Sequence, residues 1–533
     1  MSRARASGPS PRRRDVLGTT ASLLTLGACT DAGGEPRHTA SGGISTPSSR
    51  GTSRGPATPA RTWVAEENSR PGDREWHVSP RVIAPTGMLS AYASHASARA
   101  GDAVAVYVDS RLGDVVVKAH RLGHYGGQGG RTVWRSGSLP GRPQRPPVID
   151  ADHRARYTWE PTTVLDTTGW PAGTYLLTVT SGGQSHYVPL TIRSADVTGR
   201  LVVVNATATY QAYNTFGGYS LYSDGATRHF ENRARKVSFD RPGDTSGART
   251  LLLYEIGPIQ AAERLGLDLA YLTSGDLDAG TPALAGAAGV VSLGHDEYWS
   301  RGMRAAVTSA RDTGTNVGFL GANAMYWRVR FEDAGRTVVC FKDGSADPLG
   351  DTAEATVKWR DGPVPDPENA LVGMLYEAFP VQGPFVVRDP GFFGFAGLGA
   401  RAGLSVPGLC GTEVDRAYPI AGTPPTLQVV GHSPVTGEGI GTTFSDMTYY
   451  STPSGAGVVA VGSMLWCPAL RGPYARYGIT AASTAFAAAV TDNLLRELAT
   501  PRLGERRPAR PDLDAVGASP STRTGSGGPV APA

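Results

Sequence analysis

The sequence predicts a multidomain protein of the α/β plus β class, in which an immunoglobulin-like β-sandwich precedes an α/β domain with a mostly parallel sheet. The chain has 533 residues, enough for two to four domains of roughly 150 residues each. Its 69 glycines and 40 prolines make up about a fifth of the chain, which favours loop-rich folds over helical bundles. The hydrophobic pattern also changes near residue 197, from alternation to apolar runs separated by amphipathic segments.

Residues 63–196 show the alternation that is typical of half-buried strands. Val104, Val106 and Val108 occupy every second position, and a later run of the same kind ends at Ile192. Turn residues separate these short runs, and no convincing helix interrupts them. The segment therefore predicts a β-sandwich of immunoglobulin-like type.

Residues 197–501 alternate between strands and helices, which predicts a largely parallel sheet. Continuous apolar runs, typical of strands covered on both faces, predict four strands: 201–204, 268–272, 289–293 and 317–320. Capping residues and a helical period predict three helices: 257–265, from Ser300 to about Asp312, and 484–498. Residues 441–450 and 457–462 have the pattern of antiparallel strands instead.

The distribution of charge argues against a nucleic-acid partner. The formal net charge is +4. Residues 1–62 hold nine arginines and three acidic residues, and residues 502–533 hold five arginines and three acidic residues. The segment between them therefore carries a net charge of −4, whereas a nucleic-acid-binding domain clusters basic residues on its folded part.

Residues 1–28 are predicted to be a twin-arginine lipoprotein signal peptide. Arginines 12–14 precede an apolar stretch, Val16–Ala28, which at about 20 Å is too short to cross a bilayer as a helix. The following Cys29 completes a sequence that resembles a bacterial lipobox. These features predict export through the twin-arginine pathway. The mature protein is then expected at the outer face of the cell membrane, held by a lipid on Cys29, or secreted.

Two further segments have the composition of disordered chain. Residues 29–62 and 502–533 are rich in Ser, Thr, Gly, Pro and Ala and poor in large apolar side chains, which predicts a disordered stalk and tail. The remaining cysteines, at positions 340, 410 and 467, fit no zinc-binding spacing. They are expected to be small buried apolar residues.

Three clusters rich in aromatic and hydrogen-bonding residues follow the ends of predicted strands. They lie at 205–222, 294–300 and 321–328. In open α/β sheets, ligands bind outside the carboxyl ends of the strands. The sequence therefore predicts a functional site where these three clusters meet.

Familiar hydrolase signatures are absent from the predicted domains. Residues 63–501 contain neither a G-x-S-x-G elbow nor an H-E-x-x-H pair. His295-Asp296-Glu297 fits the H-x-E part of the zinc deaminase signature, but no P-C-x-x-C follows it. Serine hydrolase, zinc protease and zinc deaminase chemistry are therefore not expected.

The same clusters resemble the N,N-dimethylformamidase large (beta) subunit-like family. The resemblance covers about residues 85–500 and depends on six motifs: 121–127, 170–175, 210–222, 294–300, 321–328 and 411–416. It implies a glutamine-amidotransferase-like α/β domain and an amidohydrolase that acts on linear amides. The characterised chemistry of the family is hydrolysis of a small formamide to an amine and formate.

The resemblance also implies a mononuclear ferric ion held by two tyrosinates and one glutamate. Matched by motif, the glutamate is Glu297, one tyrosine is Tyr213 and the second is Tyr175, with Tyr254 as the alternative. Phenolate and carboxylate oxygens are hard ligands that favour a ferric ion over zinc. Such an ion polarises an amide carbonyl or lowers the pKa of a bound water.

Three further residues receive roles from the resemblance. His295 and Asn323 are expected to orient the substrate, and Glu413 is the candidate general base. The expected partners are a small-molecule amide and, for assembly, either further copies of the chain or a small partner subunit. A second hypothesis remains open, namely a catalytically inactive cell-surface protein that binds carbohydrate or cell-wall material. The joint presence of the site residues favours the enzyme.

Overall fold

The computed structural model of the protein describes residues 61–516. The predicted signal peptide, nearly all of the predicted stalk and residues 517–533 lie outside this range. The elements and contacts below belong to one compact unit. Between Arg61 and Val516, no helix combines the length and apolar character that a bilayer crossing requires.

The first part of the described chain, the two-sheet unit (residues 63–192), is built almost entirely of strands. A short helix precedes them, and the elements are α1 (Trp63–Asn68), β1 (Leu89–Ala93), β2 (Ser97–Ala98), β3 (Ala103–Ser110), β4 (Val116–Leu122), β5 (Gly130–Arg135), β6 (Val148–Ile149), β7 (Ala155–Arg156), β8 (Pro161–Asp166), β9 (Gly173–Ser181) and β10 (Gln184–Ile192). Strands β1, β3 and β8 form one sheet, and β2, β10, β9, β4 and β5 form another in that order. Side chains of both sheets share one apolar core, to which alternate residues of β3 contribute Val104, Val106 and Val108.

The second part combines strands with helices. Its elements are β11 (Leu201–Asn205), α2 (Thr207–Tyr213), β12 (Lys236–Ser238), α3 (Ile256–Arg264), β13 (Leu269–Thr273), α4 (Ser274–Leu277), β14 (Gly289–Gly294), β15 (Tyr298–Ser300), α5 (Arg301–Asp312), β16 (Asn316–Gly321), β17 (Trp327–Glu332), β18 (Thr337–Val339), α6 (Asn369–Val372), β19 (Leu375–Val386), β20 (Ser405–Arg416), β21 (Gln428–Gly437), β22 (Gly441–Ser451), β23 (Gly457–Ala460), α7 (Trp466–Ala469), α8 (Ala481–Leu498) and α9 (Leu503–Arg506). A π-helical turn, Leu251–Glu255, leads directly into α3.

The central sheet has the strand order β13-β11-β14-β16-β23-β22-β21-β19-β20. Its first five strands are parallel, and the remaining four extend the sheet with antiparallel pairs. Strands β11, β14 and β16 are buried throughout because apolar clusters cover both faces of the sheet. A smaller sheet, β12-β18-β17-β15, lies beyond the carboxyl end of β14.

The mixed α/β architecture that the sequence predicts is confirmed, and so are most of its elements. Ser300 caps α5 by accepting a hydrogen bond from the backbone N–H of Met303 at 3.1 Å. Gly266 has a φ of +63° just beyond α3, as a helix-ending glycine should. Strand β23 differs partly from its prediction, because it pairs antiparallel with β22 but parallel with β16.

The predicted disordered tail begins too early. Residues 502–516 include α9, whose Leu503 is fully buried against the backbone of Gly457 in β23. Asp512 then accepts a hydrogen bond from the backbone N–H of Val429 at 2.8 Å and pairs with Arg388. These contacts order residues 502–516, although their polar composition alone predicts disorder. The three described cysteines are free and buried, as expected.

Candidate active site

The carboxyl ends of β14 and β16 meet at the predicted edge of the sheet. Gly294 and Gly321 end these strands and face each other in the parallel register. A Cβ on Gly321 would lie 1.8 Å from the carbonyl oxygen of Gly294. Gly294 itself has a φ of +60°, which favours glycine. These two glycines allow the loops that carry Glu297 and Asn323 to leave neighbouring strands close to each other.

Glu297 is the centre of a buried cluster of oxygen atoms. The Tyr213 hydroxyl, at the end of α2, donates a hydrogen bond to Glu297 Oε2 at 2.6 Å. The Tyr222 hydroxyl donates to the other carboxylate oxygen, Oε1. The two tyrosine rings lie 4.8 Å apart between centroids. One carboxylate thus holds two phenols, one on each oxygen.

The protonation state of this cluster follows from its burial. Burial and the charge of Glu297 raise the pKa of Tyr213 and of Tyr222 well above the ordinary value. Burial also raises the pKa of Glu297, although the charges of His295 and Lys342 oppose the rise. Both phenols therefore carry their protons when no cation is bound.

A buried lysine packs directly against one of the phenols. Lys342 Nζ lies 3.3 Å from the centroid of the Tyr222 ring and donates a hydrogen bond to the Tyr298 hydroxyl at 2.6 Å. Burial lowers the pKa of Lys342 to about 7. Trp327 Nε1 also donates to the Tyr222 hydroxyl, at 3.2 Å. The Trp327 donor, and Lys342 in its protonated form, favour oxygen anions at the cluster.

A second carboxylate faces the cluster from β20. His295 Nε2 lies 3.4 Å from an oxygen of Glu297 and 3.4 Å from Glu413 Oε2. Burial lowers the pKa of His295, but the charges of Glu413 and Glu297 outweigh it and raise the pKa to about 9. The histidine is therefore cationic at neutral pH and lies between two carboxylates.

Asn323 holds this second carboxylate in place. Its Nδ2 donates to Glu413 Oε2 at 2.7 Å, and its backbone N–H donates to Asp415 at 2.8 Å. Asn323 Oδ1 and His295 Nε2 are buried and have no hydrogen-bond partner among residues 61–516. Buried polar atoms without partners are uncommon, and here they lie beside the same carboxylate.

The structure brings together five of the six site residues predicted from the sequence: Tyr213, His295, Glu297, Asn323 and Glu413. It does not bring Tyr175 to them. Tyr175 lies in β9 within the core of the two-sheet unit, and its hydroxyl donates to the carbonyl oxygen of Pro171 at 2.6 Å. Tyr254, the alternative, contacts the His295 ring edge-on with 6.1 Å between ring centroids.

Sequence reasoning missed two members of the site, Tyr222 and Lys342. The sequence contains a signal for Tyr222, because this residue lies nine positions after Tyr213 in the segment that follows the end of β11. Lys342 has no such signal, since it follows a short strand of the smaller sheet and its surroundings resemble a surface turn. Only the tertiary fold turns its ammonium group inward.

The donor set at Glu297 fits a metal ion with a high charge. Two phenolates and one carboxylate supply three hard oxygen atoms and three negative charges, which suit a trivalent cation. Among residues 61–516 no group of three or more His, Cys, Asp or Glu side chains could hold a metal. A metal at this site would therefore depend on the phenol oxygens of Tyr213 and Tyr222.

A buried network behind α2 fixes the position of this helix. Glu255, at the end of the π-helical turn, accepts hydrogen bonds from the Tyr210 hydroxyl, from Asn205 Nδ2 at 2.7 Å and from the Ala206 backbone N–H at 3.1 Å. Tyr210 lies three residues before Tyr213 on α2. Burial raises the pKa of Glu255 to about 7. The network connects the end of β11 to the helix that carries a phenol of the cluster.

Glu255 should make stability fall as the pH rises. The folded protein binds this proton more tightly than the unfolded chain, because the pKa rises from 4.5 to about 7 on folding. The stabilisation is complete below pH 4.5 and lost by pH 7, to the extent of about 3 kcal/mol. We expect Glu255→Gln to reduce the difference in unfolding free energy between pH 5 and pH 8 by that amount, measured by urea denaturation. Glu231→Gln, at an exposed position, is the control, and equal pH slopes for Glu255→Gln and the wild type would contradict the assignment.

Comparison with known proteins identifies the family. None of the curated proteins matches the chain. The family model described as "N,N-dimethylformamidase beta subunit-like, C-terminal" matches residues 116–479, which is more than half of the chain and includes every member of the cluster. The protein therefore belongs to the N,N-dimethylformamidase beta subunit-like family.

Proposed function

We propose that the protein is an exported, metal-dependent hydrolase of small amide C–N bonds, with formamides as its substrates. The observation that carries the proposal is the convergence of two phenols on the single buried carboxylate of Glu297. A merely structural tyrosine needs one acceptor, whereas this arrangement gathers three oxygen ligands. Family membership supports the same activity.

The metal in this proposal is a mononuclear ferric ion held by Tyr213, Tyr222 and Glu297. When bound, it supplies a Lewis acid that polarises the amide carbonyl and makes a nearby water more acidic. Tyr222 takes the place that the sequence alone gives to Tyr175. The proposal thus keeps the predicted kind of ligand set and changes one member.

The chain's own residues supply the proton transfers. Glu413 accepts a proton from the attacking water as the new C–O bond forms at the amide carbon. His295, which is cationic at neutral pH, donates a proton to the leaving nitrogen as the C–N bond breaks. Asn323 keeps Glu413 oriented through its 2.7 Å hydrogen bond. The products are a carboxylic acid and an amine, and atoms and charge balance.

The proposal extends to architecture and location. Two sheets around one core support an immunoglobulin-like first domain. Five parallel strands between two apolar layers support a glutamine-amidotransferase-like second domain. The amino-terminal sequence supports twin-arginine export and a lipid on Cys29 that holds the protein at the outer face of the membrane. Assembly as a homo-oligomer or with a small partner subunit belongs to the same proposal.

Metal content, colour and turnover test the proposal together. The purified full-length protein should contain about one iron per chain, absorb visible light through tyrosinate-to-iron charge transfer and release amine from N,N-dimethylformamide. Glu297→Gln removes the carboxylate charge with little change in shape, and we expect it to abolish iron binding and turnover. Glu160→Gln, at an exposed position of the two-sheet unit, is the matched control.

The competing hypothesis predicts a different result. A catalytically inactive binding protein would be colourless and metal-free and would bind carbohydrate or cell-wall material. That outcome would exclude the hydrolase. Iron binding without amide turnover would support the proposed metal site and contradict the proposed substrate.

A further inference from the structure

A large cleft leads to the cluster from the two-sheet unit. It has a volume of about 1150 Å³, part of it open to solvent. Tyr213, His295 and Tyr254 lie in its lining, together with Tyr92 of β1 and Leu190 of β10. Its lining thus extends from the cluster at Glu297 to strands of the first part of the described chain.

The walls of the cleft are mostly apolar and include several aromatic side chains. Tyr92, Tyr187 and Phe239 contribute rings, and Leu251 adds an aliphatic surface beside Tyr254. Aromatic and aliphatic linings bind apolar groups by removing their surface from water. One part of the ligand should therefore be an apolar or aromatic group.

A buried positive charge also borders the cleft. The Arg241 guanidinium donates hydrogen bonds to the side chain and carbonyl oxygen of Gln211 and to the carbonyl oxygens of Phe216 and Tyr219. All of these acceptors are uncharged, and Arg241 forms no ion pair among the described residues. Its burial lowers its pKa to about 10, which still leaves it cationic.

Other charged residues lie around the cleft, and none of those described forms an ion pair with Arg241. Arg249 and Arg336 also line it, whereas its acidic lining residue is Asp244. Asp240, outside the lining, pairs with Arg336. Asp244 accepts hydrogen bonds from the backbone N–H and hydroxyl of Thr215. Arg241 is thus a buried cation whose hydrogen-bond acceptors are uncharged, in an apolar surrounding where charges attract more strongly than in water.

We infer that the substrate is an N-formyl amino acid with an apolar or aromatic side chain, its carboxylate attracted by the Arg241 side of the cleft. The inference rests on the proposed amide hydrolysis and names its substrate class. Arg241 contacts Gln211, which lies two residues before Tyr213 on α2. The positive charge and the proposed reaction site are thus joined by a single helical turn. The formyl group of such a substrate reaches Tyr213 and His295 while its side chain contacts the aromatic wall.

Four related amides separate the contributions of charge and apolar surface. N-formyl-L-phenylalanine carries both groups, and N-(2-phenylethyl)formamide lacks only the carboxylate. N-formylglycine lacks only the aromatic group, and N-methylformamide lacks both. We expect kcat/KM of the iron-loaded full-length protein to fall at least about tenfold on loss of either group. Equal values for N-formyl-L-phenylalanine and N-methylformamide would overturn the inference and leave formamide hydrolysis intact.

Thermal shifts measure binding of the same four amides whether or not turnover occurs. N-formyl-L-phenylalanine should raise the Tm of the full-length protein most, and absence of this order of binding would also overturn the inference. Binding in this order without turnover would instead reject the proposed hydrolysis. Arg241→Met should remove the preference for the carboxylate, Arg241→Lys should restore part of it, and Arg401→Met, at an exposed position outside the cleft, should retain it. If Arg241→Met does not fold, the wild-type series still decides.

Discussion

Tyr222→Phe is expected to remove the coloured iron centre and to lower kcat/KM for formamide hydrolysis at least about 100-fold. The variant loses one of the three proposed oxygen ligands, together with the hydrogen bond from Trp327 Nε1. Substitution of residues that merely support a metal ligand costs about 10–100-fold, so loss of a ligand costs at least as much. Iron content, visible absorption and amine release measure the three effects on one preparation.

Tyr175→Phe is the matched comparison, because the two substitutions remove the same atom from different places. In β9 the substitution removes one buried hydrogen bond, to the carbonyl oxygen of Pro171, and costs about 1 kcal/mol of stability. Iron and colour should remain. If Tyr175→Phe loses the colour and Tyr222→Phe keeps it, the ligand assignment made here is wrong and the one implied by the sequence motif is right.

Arg121→Met is expected to lower the free energy of unfolding by about 3–5 kcal/mol. Arg121 in β4 is fully buried and pairs with Glu263 of α3, with 2.6 Å between Nη2 and Oε1. Its Nε also donates to the carbonyl oxygen of Ala172 at 2.9 Å. The substitution leaves a buried carboxylate without its cation, which is far more costly than loss of an exposed pair. Chemical denaturation of the purified variant measures the loss.

Two further variants isolate the buried charge as the cause. Arg121→Met combined with Glu263→Gln removes both charges and should recover part of the loss, which a double-mutant cycle quantifies. Arg301→Met breaks an exposed pair with Glu354 and should change stability by less than about 1 kcal/mol. Equal losses for Arg121→Met and Arg301→Met would show that the buried pair contributes no more than a surface contact.

Most helices and strands in the second part of the described chain could be predicted because their determinants are local. An apolar run such as β11 has to be covered on both faces, and Ser300 caps α5 through atoms only three residues away. The antiparallel extension could be predicted only in part. The parallel pairing of β23 with β16 joins residues about 140 positions apart, and no local pattern specifies it. Arg121 and Glu263 are likewise 142 residues apart.

The residues of the candidate site likewise divide into those that the sequence predicts and those that only the structure reveals. Glu297, Asn323 and Tyr213 follow strand ends, and the rule for ligand sites in open sheets places them together before any coordinates are known. Tyr175 could not be excluded from the sequence, because only the structure shows that it lies in the core near the start of β9 with its hydroxyl bonded to the carbonyl oxygen of Pro171. Lys342 could not be found, because its inward direction depends on contacts with Tyr222 and Tyr298, which lie far from it in the sequence.

Asn205 lines the cleft and connects the two parts of the described chain. Its side-chain oxygen accepts hydrogen bonds from Thr174 of β9 at 2.8 Å and from Thr191 of β10 at 2.9 Å, while its amide donates to Glu255. Asn205 thus connects strands β9 and β10 of the first part to Glu255 of the second, in addition to the buried pair of Arg121 and Glu263. Separation of the two parts at this place would break all three hydrogen bonds. Substitutions at Thr174 or Thr191 should therefore affect the position of Glu255 and, through Tyr210, the helix that carries Tyr213.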